Sequence, residues 1–476
     1  MPCVSVIPAL DAAGRARYVA EHLPPGLFRN ADASAVAWRI SPDPFPISPA
    51  TLGAIASLGD DLLAFYRALN ALYLRSARGT APAFIAEELD RGKPEHVIRL
   101  ARQNRFKQDV PRVIRPDLIV TDDGYVATEL DSVPGGMGFT AALAATYCEV
   151  GIESAGGADG VAERFAQMAA SATGLERPTI AIVVSAESND YRAELAWLAA
   201  RVVRLGLANA IVCAPQDIVF TEDALFVRHA DGREAKVDLL YRNFELFDLL
   251  NVPKQELMLY AARHNRVKMT PAPRAHLEEK AAFALFHQPN LRAYWRQELG
   301  ADVDARLLGI FPRTWIVDPR PLPPQAAIVD LTAAGIPVHD WRQLEELGKS
   351  ERDLVLKPSG FSELAWGSRG VKIANDLTKD AWREALRLAL ASFPVRPYVL
   401  QRFHKGKRVR VPYLDRDRTA LKEMDGRVRL CPYYFVIGDR TELGGILATV
   451  APADKRIIHG MGDAIMTSCR VAGDGV

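Results

Sequence analysis

Three carboxylates in a short stretch of the chain have the type and spacing for metal chemistry. Asp117, Glu129 and Asp131 flank Asp122-Asp123-Gly124, a strong turn signal between two short β-rich runs, Asp117-Leu-Ile-Val-Thr121 and Tyr125-Val-Ala-Thr-Glu-Leu130. Glu129 and Asp131 are two apart, so both side chains point to one face of a strand. Where Asp117 points depends on the turn. A two-residue turn at Asp123-Gly124 sets it opposite Leu130, on the wrong face. A three-residue turn at 122–124, with Gly124 in the left-handed position, sets it opposite Glu129. The three-residue turn is therefore the expectation, with all three acids on one face. Crowded like charges repel unless a cation sits among them, and magnesium prefers oxygen ligands. The bland alternative is a solvated edge hairpin carrying three independent acids.

A second group could hold phosphate. Asp353-Leu-Val-Leu-Lys357-Pro358 is a buried-strand run ending in lysine, followed by a loop to Gly370 with Gly360, Gly367 and Gly370. Small residues let backbone N–H groups close over phosphate oxygens, and lysine adds a point charge. The GxxxxGK[ST] pattern of a P-loop is absent. A strand-end lysine pointing to solvent before an ordinary loop is the alternative. Tyr398-Val-Leu-Gln-Arg-Phe403 resembles a hinge strand whose backbone would bond adenine while Gln401 takes the amino group; a core strand with a polar end is the other reading.

The elements that must position these residues are legible in outline. Residues 1–110 read as mostly helical packing scaffold after a Pro-rich entry, with apolar residues at helical spacing from Leu52 to Leu74. Residues 179–250 read as an open α/β unit. It has strands at Thr179–Val184, Asn209–Cys213 and Val237–Tyr241, a helix with Leu195, Leu198, Ala199, Val202 and Val203 on one side, and a hairpin at Asp231-Gly232. Ser188 and Asn189 end one strand, and Arg242 and Asn243 end another, at the edge where such folds place ligands. A helix is expected near Leu277–His287. Strands return at Arg427–Val436 and Gly445–Val450.

Bulk properties narrow the function class. The 476 residues carry 59 basic and 58 acidic side chains, a net charge of +1, which gives no electrostatic reason to expect nucleic acid or an anionic membrane. No run of 18 apolar residues suggests a membrane span. The five cysteines, at 3, 148, 213, 431 and 469, are scattered, and none forms a CxxC pair. That argues for a reducing, cytoplasmic setting without a disulfide frame or zinc site.

Taken together, Asp117-(x)11-Glu129-x-Asp131-x-x-Pro134-Gly135 resembles the metal-binding hairpin of the ATP-grasp family. Because it precedes Lys357, the order resembles the circularly permuted arrangement of glutathionylspermidine synthase-like proteins. The resemblance implies an α/β (α+β) ATP-grasp fold in permuted order. Its parts would be a helical region 1–110, the metal-binding part of the C-terminal lobe at 111–175, a pre-ATP-grasp α/β domain at 176–265, the central lobe at 266–400 and the rest of the C-terminal lobe at 401–476. It further implies ATP and Mg2+ as cofactors, with Asp117, Glu129 and Asp131 on the metal. Lys280, Lys357, Ser368, Arg369, Gly370, Gln401 and Phe403 would lie at the nucleotide, Arg410 and Arg429 at the γ-phosphate or an acyl-phosphate, and Ser188, Asn189, Arg242 and Asn243 at the acceptor. Close backbone approach would be allowed at Gly135, Gly136, Gly444 and Gly445. His404 and His459 are candidate bases. Asp131 departs from the usual Asn, and Gly406-Lys407-Arg408 stands where a ribose-binding Gly-x-Glu is common. The implied reaction joins a small carboxylic acid to an amine or short peptide through an acyl-phosphate. No amidase region is recognisable. A nucleotide-binding module without ligase activity is the alternative; a dinucleotide oxidoreductase is disfavoured by the lack of GxGxxG after Thr179–Val184.

Overall fold

A computed structural model describes the chain except for residues 1, 2, 4, 6, 7, 25, 28–37, 366, 368, 461 and 473–476. The body is a seven-stranded sheet in the order Phe45–Ile47, Ile465–Val471, Arg440–Pro452, Leu421–Ile437, Val113–Thr121, Gly124–Asp131, with Arg408–Leu414 paired to the start of Leu421–Ile437. Neighbours are antiparallel except Phe45–Ile47, which runs parallel to Ile465–Val471. The acidic hairpin thus completes a sheet whose other long strands come from the far end of the chain.

Leu421–Ile437 is covered on both faces, which is why Leu430-Cys-Pro-Tyr-Tyr-Phe-Val-Ile437 reads as a nearly unbroken apolar run. Leu430, Tyr434 and Val436 join the cluster under the helix Pro49–Ala77, together with its Leu58, Leu62 and Leu69. Cys431, Tyr433 and Phe435 face the opposite way, against Phe139, Leu143 and Phe165 of the helices Met137–Glu149 and Gly160–Thr173. The long helix starts where its sequence says it should: Ser48 accepts a hydrogen bond from the Thr51 amide at 3.1 Å, and Pro49 occupies the first turn.

The α/β unit is a parallel sheet in the order Lys268–Thr270, Leu239–Asn243, Thr179–Val184, Asn209–Cys213. Helix Arg192–Arg204 buries Leu195, Leu198, Ala199 and Val202, but Val203 points outward. The Asp231-Gly232 turn joins two strands of a small antiparallel sheet, as expected. A further four-stranded antiparallel sheet, Thr314–Ile316, Tyr398–Arg402, Leu354–Pro358 and Lys372–Ile373, packs on the helix Lys379–Ser392 through Trp382 and Leu386. The fold is α+β, and among the described residues no helix is long and apolar enough to cross a membrane.

Two expectations fail in instructive ways. The helix near Leu277–His287 is broken into Ala275–Glu278 and Ala281–Phe286, with Glu279 extended between them (φ −103°, ψ 128°). The cause is tertiary, since the Glu279 carboxylate is drawn to Lys93 and Ser359 and accepts from the amides of Gly360 and Phe361 at 2.7 and 3.2 Å. Cys3 and Cys148, 145 residues apart, form a disulfide with Cα atoms 4.9 Å apart. Separation along the chain carries no information on this pairing, because the helix ending at Glu149 brings Cys148 beside Cys3. Cys213, Cys431 and Cys469 are free and buried.

The loop before Met137 is held from behind. Glu194 accepts from the amides of Gly136 and Phe139 at 2.6 and 2.9 Å, with burial pushing its carboxyl up to about 7 against those bonds. Gly138 lies so close that a Cβ there would overlap the Glu194 carbonyl. Gly138→Ala is therefore expected to cost about 1–3 kcal/mol in denaturant unfolding. Gly53→Ala, on an open helical position with no neighbour within 4 Å of the added carbon, should cost nothing.

Candidate active site

The hairpin places Asp117 opposite Glu129 and Arg115 opposite Asp131, so the acids share a face as expected. The route differs from the expected one. The turn is two residues, Asp122-Asp123, with Thr121 paired to Gly124, and a bulge supplies the missing residue: Leu118 pairs with Ala127 and Asp117 with Glu129, leaving Thr128 out of register. Gly124 (φ 134°) starts the second strand rather than closing the turn.

The three acids do not stand alone on their face. Arg115, which the sequence reading passed over, lies 3.2 Å from Asp117 and 3.1 Å from Asp131, and it donates to the Gly135 carbonyl at 2.9 Å. Its signal was available: two residues before Asp117, it shares that residue's parity. Arg429 bonds Asp117 at 2.7 Å from the neighbouring long strand. Burial alone would raise the Asp117 carboxyl, but Arg429 and Arg115 overcome it and hold the group below its ordinary range. Desolvation pushes Asp131 upward, with Arg115 pulling against it. Glu129 bonds Lys280 at 2.6 Å.

This pattern revises the metal assignment. Among the described residues no group of three His, Cys, Asp or Glu side chains comes together to hold an ion. The Asp117 side chain is 8 % exposed, with its oxygens taken by Arg429, Arg115 and the Cys431 thiol. It does not fit a magnesium ligand. Glu129 and Asp131, 33 % and 30 % exposed toward one cavity, do fit one, since magnesium is commonly held by one or two carboxylates plus phosphate oxygens.

Lys357 projects from Leu354–Pro358 into a cavity of about 490 Å³ between the four-stranded sheet and the acidic hairpin. The cavity is lined by Ile119, Val355, Ile373, Phe403 and Ile458, with Asp117, Glu129, Lys357, Gln401 and Arg429 along its polar side. Lys357 donates to Gln401 Oε1 at 2.9 Å and, across the cleft, to the carbonyl of the bulged Thr128 at 3.0 Å. Gln401 Nε2 donates to Thr314 at 3.1 Å. Both ends of the Gln401 amide are thus engaged, and the residue orients Lys357 rather than offering itself to a base. The Arg402 and Phe403 amides bond the Arg313 and Asp353 carbonyls, so neither serves as a hinge donor. His404 lines the same cavity, its basicity lowered by burial.

A second cavity, of about 730 Å³, lies beyond the hairpin and shares Asp117, Glu129 and Arg429 with the first. Arg115, Asp131, Gly135, Gly136, Asn189, Glu245, Glu278 and His459 also line it. Lys280 lines this cavity and not the first, and donates to the Ala365 carbonyl at 3.2 Å. Gly360, Ser362, Ala365 and Gly367 form the roof, so the glycine-rich loop covers this cavity.

Several expected residues lie elsewhere. Arg410 is exposed, opposite Asp425 on the Arg408–Leu414 strand, and lines neither cavity. Arg369 is exposed and pairs with Glu187 at 3.3 Å, and Gly370 packs on Pro358. Ser368 falls outside the described residues. Of the acceptor set only Asn189 lines the cavity. Ser188 is buried in the turn below it. Arg242 is fully buried, bonded to the Pro271 and Phe244 carbonyls and to Glu278, and Asn243 is buried beside it. Gly444 and Gly445 serve packing, against Val161 and Phe435.

No family model matches the chain, and no curated protein matches it. Among solved structures it is similar to a glutathione synthetase-like effector from Globodera pallida in its apo form, at 12 % identity over 97 % of each chain and a TM-score of 0.57. That likeness shows the fold. A "putative gamma-glutamylcysteine synthetase" from Methylobacillus flagellatus aligns over 80 % of this chain and 85 % of its own at 11 % identity and a TM-score of 0.38, too loose to carry an argument.

Burial pushes the Lys357 ammonium down to about 8, with Glu129 and Asp117 opposing and Lys280 adding to the fall. Above that pH the folded chain lacks a proton that the unfolded chain keeps until about 10.4. Stability should therefore rise with pH through this window. Between pH 7.5 and 9.5, wild type should gain on the order of 1–2 kcal/mol relative to Lys357→Met, as read by denaturant unfolding at each pH.

Proposed function

We propose that the chain is an ATP- and magnesium-dependent carboxylate–amine ligase of circularly permuted ATP-grasp type, working through an acyl-phosphate. The observation that carries this reading is the junction of two cavities at Asp117, Glu129 and Arg429. One cavity is a cleft between two sheets, with an apolar wall and a buried lysine, and suits a nucleotide. The other is larger and more polar than the first and suits the two substrates to be joined. The permuted order is supported by the hairpin lying before Lys357 in the chain and yet closing the same cleft. The division into regions 1–110, 111–175, 176–265, 266–400 and 401–476 belongs to this proposal.

In this reading ATP lies with its triphosphate toward the shared wall. Lys357, aimed by Gln401 and Thr128, holds phosphate oxygens, and gaining an anionic neighbour restores its proton. A substrate carboxylate in the second cavity faces Arg115 and Arg429. Its oxygen attacks the γ-phosphorus, the bond to the β–γ bridging oxygen breaks, and ADP leaves. The amine nitrogen, as the free base, then attacks the acyl carbon, the bond from that carbon to the phosphate oxygen breaks, and the N–H proton leaves with the phosphate or to solvent. Glu129 and Asp131 are the side chains that would hold magnesium, whose charge offsets that of the phosphates. The work of the protein is positioning and charge stabilisation. The acceptor is a small amine or short peptide.

A second reading, a nucleotide-binding module without ligase activity, is favoured by one observation: every acid on the hairpin face already has a basic partner.

ADP release should be measured with magnesium and ATP against pooled carboxylic acids and amines. The ligase reading expects release that depends on both pools and falls by about 10²-fold or more in Lys357→Ala and Glu129→Ala. Tight ATP binding with no release from any pool supports the module instead. Unchanged turnover in both variants would sink the site assignment. ATP binding at pH 8 should draw in protons, seen by calorimetry in buffers of different ionisation heat, and Lys357→Met should abolish that uptake.

A further inference from the structure

A third depression, of about 170 Å³, shares no lining residue with the other two cavities. Arg67 reaches it from the long helix, Arg105 and Arg112 from the segment after residue 103, and Lys268 from the edge strand of the α/β unit. Val436 and Gly438 close it from the body sheet. Four cations thus face a single carboxylate, Asp109, which lies 3.7 Å from Arg105.

The polar groups here are under-used. The half-buried Arg112 side chain makes no hydrogen bond to the described residues, and its Nη1 is closed off from solvent, as is Arg105 Nε. Thr270 is 2 % exposed, lines the depression, and has a hydroxyl without a partner. Arg105 and Lys268 both lean on the Asn265 side-chain oxygen, at 3.2 and 3.0 Å, which leaves donors on each. Burying unpaired guanidinium and hydroxyl groups is costly unless an acceptor completes them. Burial also raises the Asp109 carboxyl against the pull of its cationic neighbours, so the one opposing charge is the easiest to neutralise. Arginine forks match tetrahedral oxyanions well, and the space admits an ion of that size but no nucleotide.

We propose that this depression is a binding site for a phosphate-class oxyanion, free or as the end of a small phosphomonoester, that clasps the long helix, the α/β unit and the body sheet together. The clasp has a route to chemistry. Leu239, in its lining, begins the strand Leu239–Asn243, which leads directly to Glu245 in the second cavity.

The test is calorimetric titration of inorganic phosphate into the full chain, with a non-hydrolysable ATP analogue in excess to fill the nucleotide cleft. One phosphate per chain is expected to bind, roughly tenfold more weakly in Arg112→Gln and in Thr270→Val, and to raise Tm by about 2 °C near saturation. Lys268→Gln, at a half-exposed position, gives a third variant should either of the others unfold. Methyl phosphate in a parallel titration separates the sources: equal binding means a monoester end is accepted, and failure means the free ion is the ligand. Equal affinity in wild type and all folded variants, or the same heat from sodium chloride at matched ionic strength, would overturn the site.

Discussion

Asp117 held between two guanidiniums is the contact on which the rest of the site depends. Arg429 comes from the long central strand and Arg115 from the hairpin itself, so their shared carboxylate locks the hairpin to the sheet. It also builds the wall between the two cavities. Without the Asp117 charge, Arg429 would lose its carboxylate partner while buried and Arg115 would keep only the carboxylate of Asp131, and a buried charge stripped of its partner is costly. The acid is the counterion that lets two arginines sit buried at the wall between the cavities, where the proposed reaction would handle anions. This accounts for a carboxylate so close to the proposed phosphate path that is not itself open to an ion.

The dipeptide Glu279-Lys280 organises the other side. Its two side chains diverge, one into the base of the glycine-rich loop and the other toward Glu129 and the loop's Ala365. The break in the helix there is the local cost of reaching both. Lys93, buried against Glu279, carries the N-terminal helical region into the same network. That region reads as scaffold in the sequence and contributes a charge to the loop that roofs the second cavity.

What was legible and what was not divides along physical lines. Period-3.6 patterning marks the long helix, unbroken apolar runs mark the parallel strands, which are buried on both faces, and a turn signal between β-rich runs marks the hairpin. The shared face of Glu129 and Asp131 follows from strand geometry alone. Arg115 was equally readable by parity but lay outside the run taken as the strand, which starts at Val113 rather than Asp117. Gln401 lines the cavity beside Lys357, and the sequence does not show that Lys357 and Thr314 would claim its amide. Arg410 and Arg242 were chosen as strand-borne charges. Which strand-borne charge meets a cavity is settled by sheet order, and sheet order here joins segments hundreds of residues apart.

The bulge at Thr128 has a consequence for how such a hairpin can change. A bulged residue leaves the ladder, so its carbonyl is free for another donor, and here that donor is Lys357 from the opposite sheet. Turn length and bulge therefore form a matched pair of length changes. With the three-residue turn the same chain would keep Asp117 opposite Glu129 without a bulge, but Thr128 would then enter the ladder opposite Leu118 and its carbonyl would no longer be spared for the lysine across the cleft. The bulge thus does two jobs at once: it realigns the acids across the short turn and spares the carbonyl that anchors Lys357. The residue that ties the two sheets together across the cleft is a threonine acting through its backbone alone.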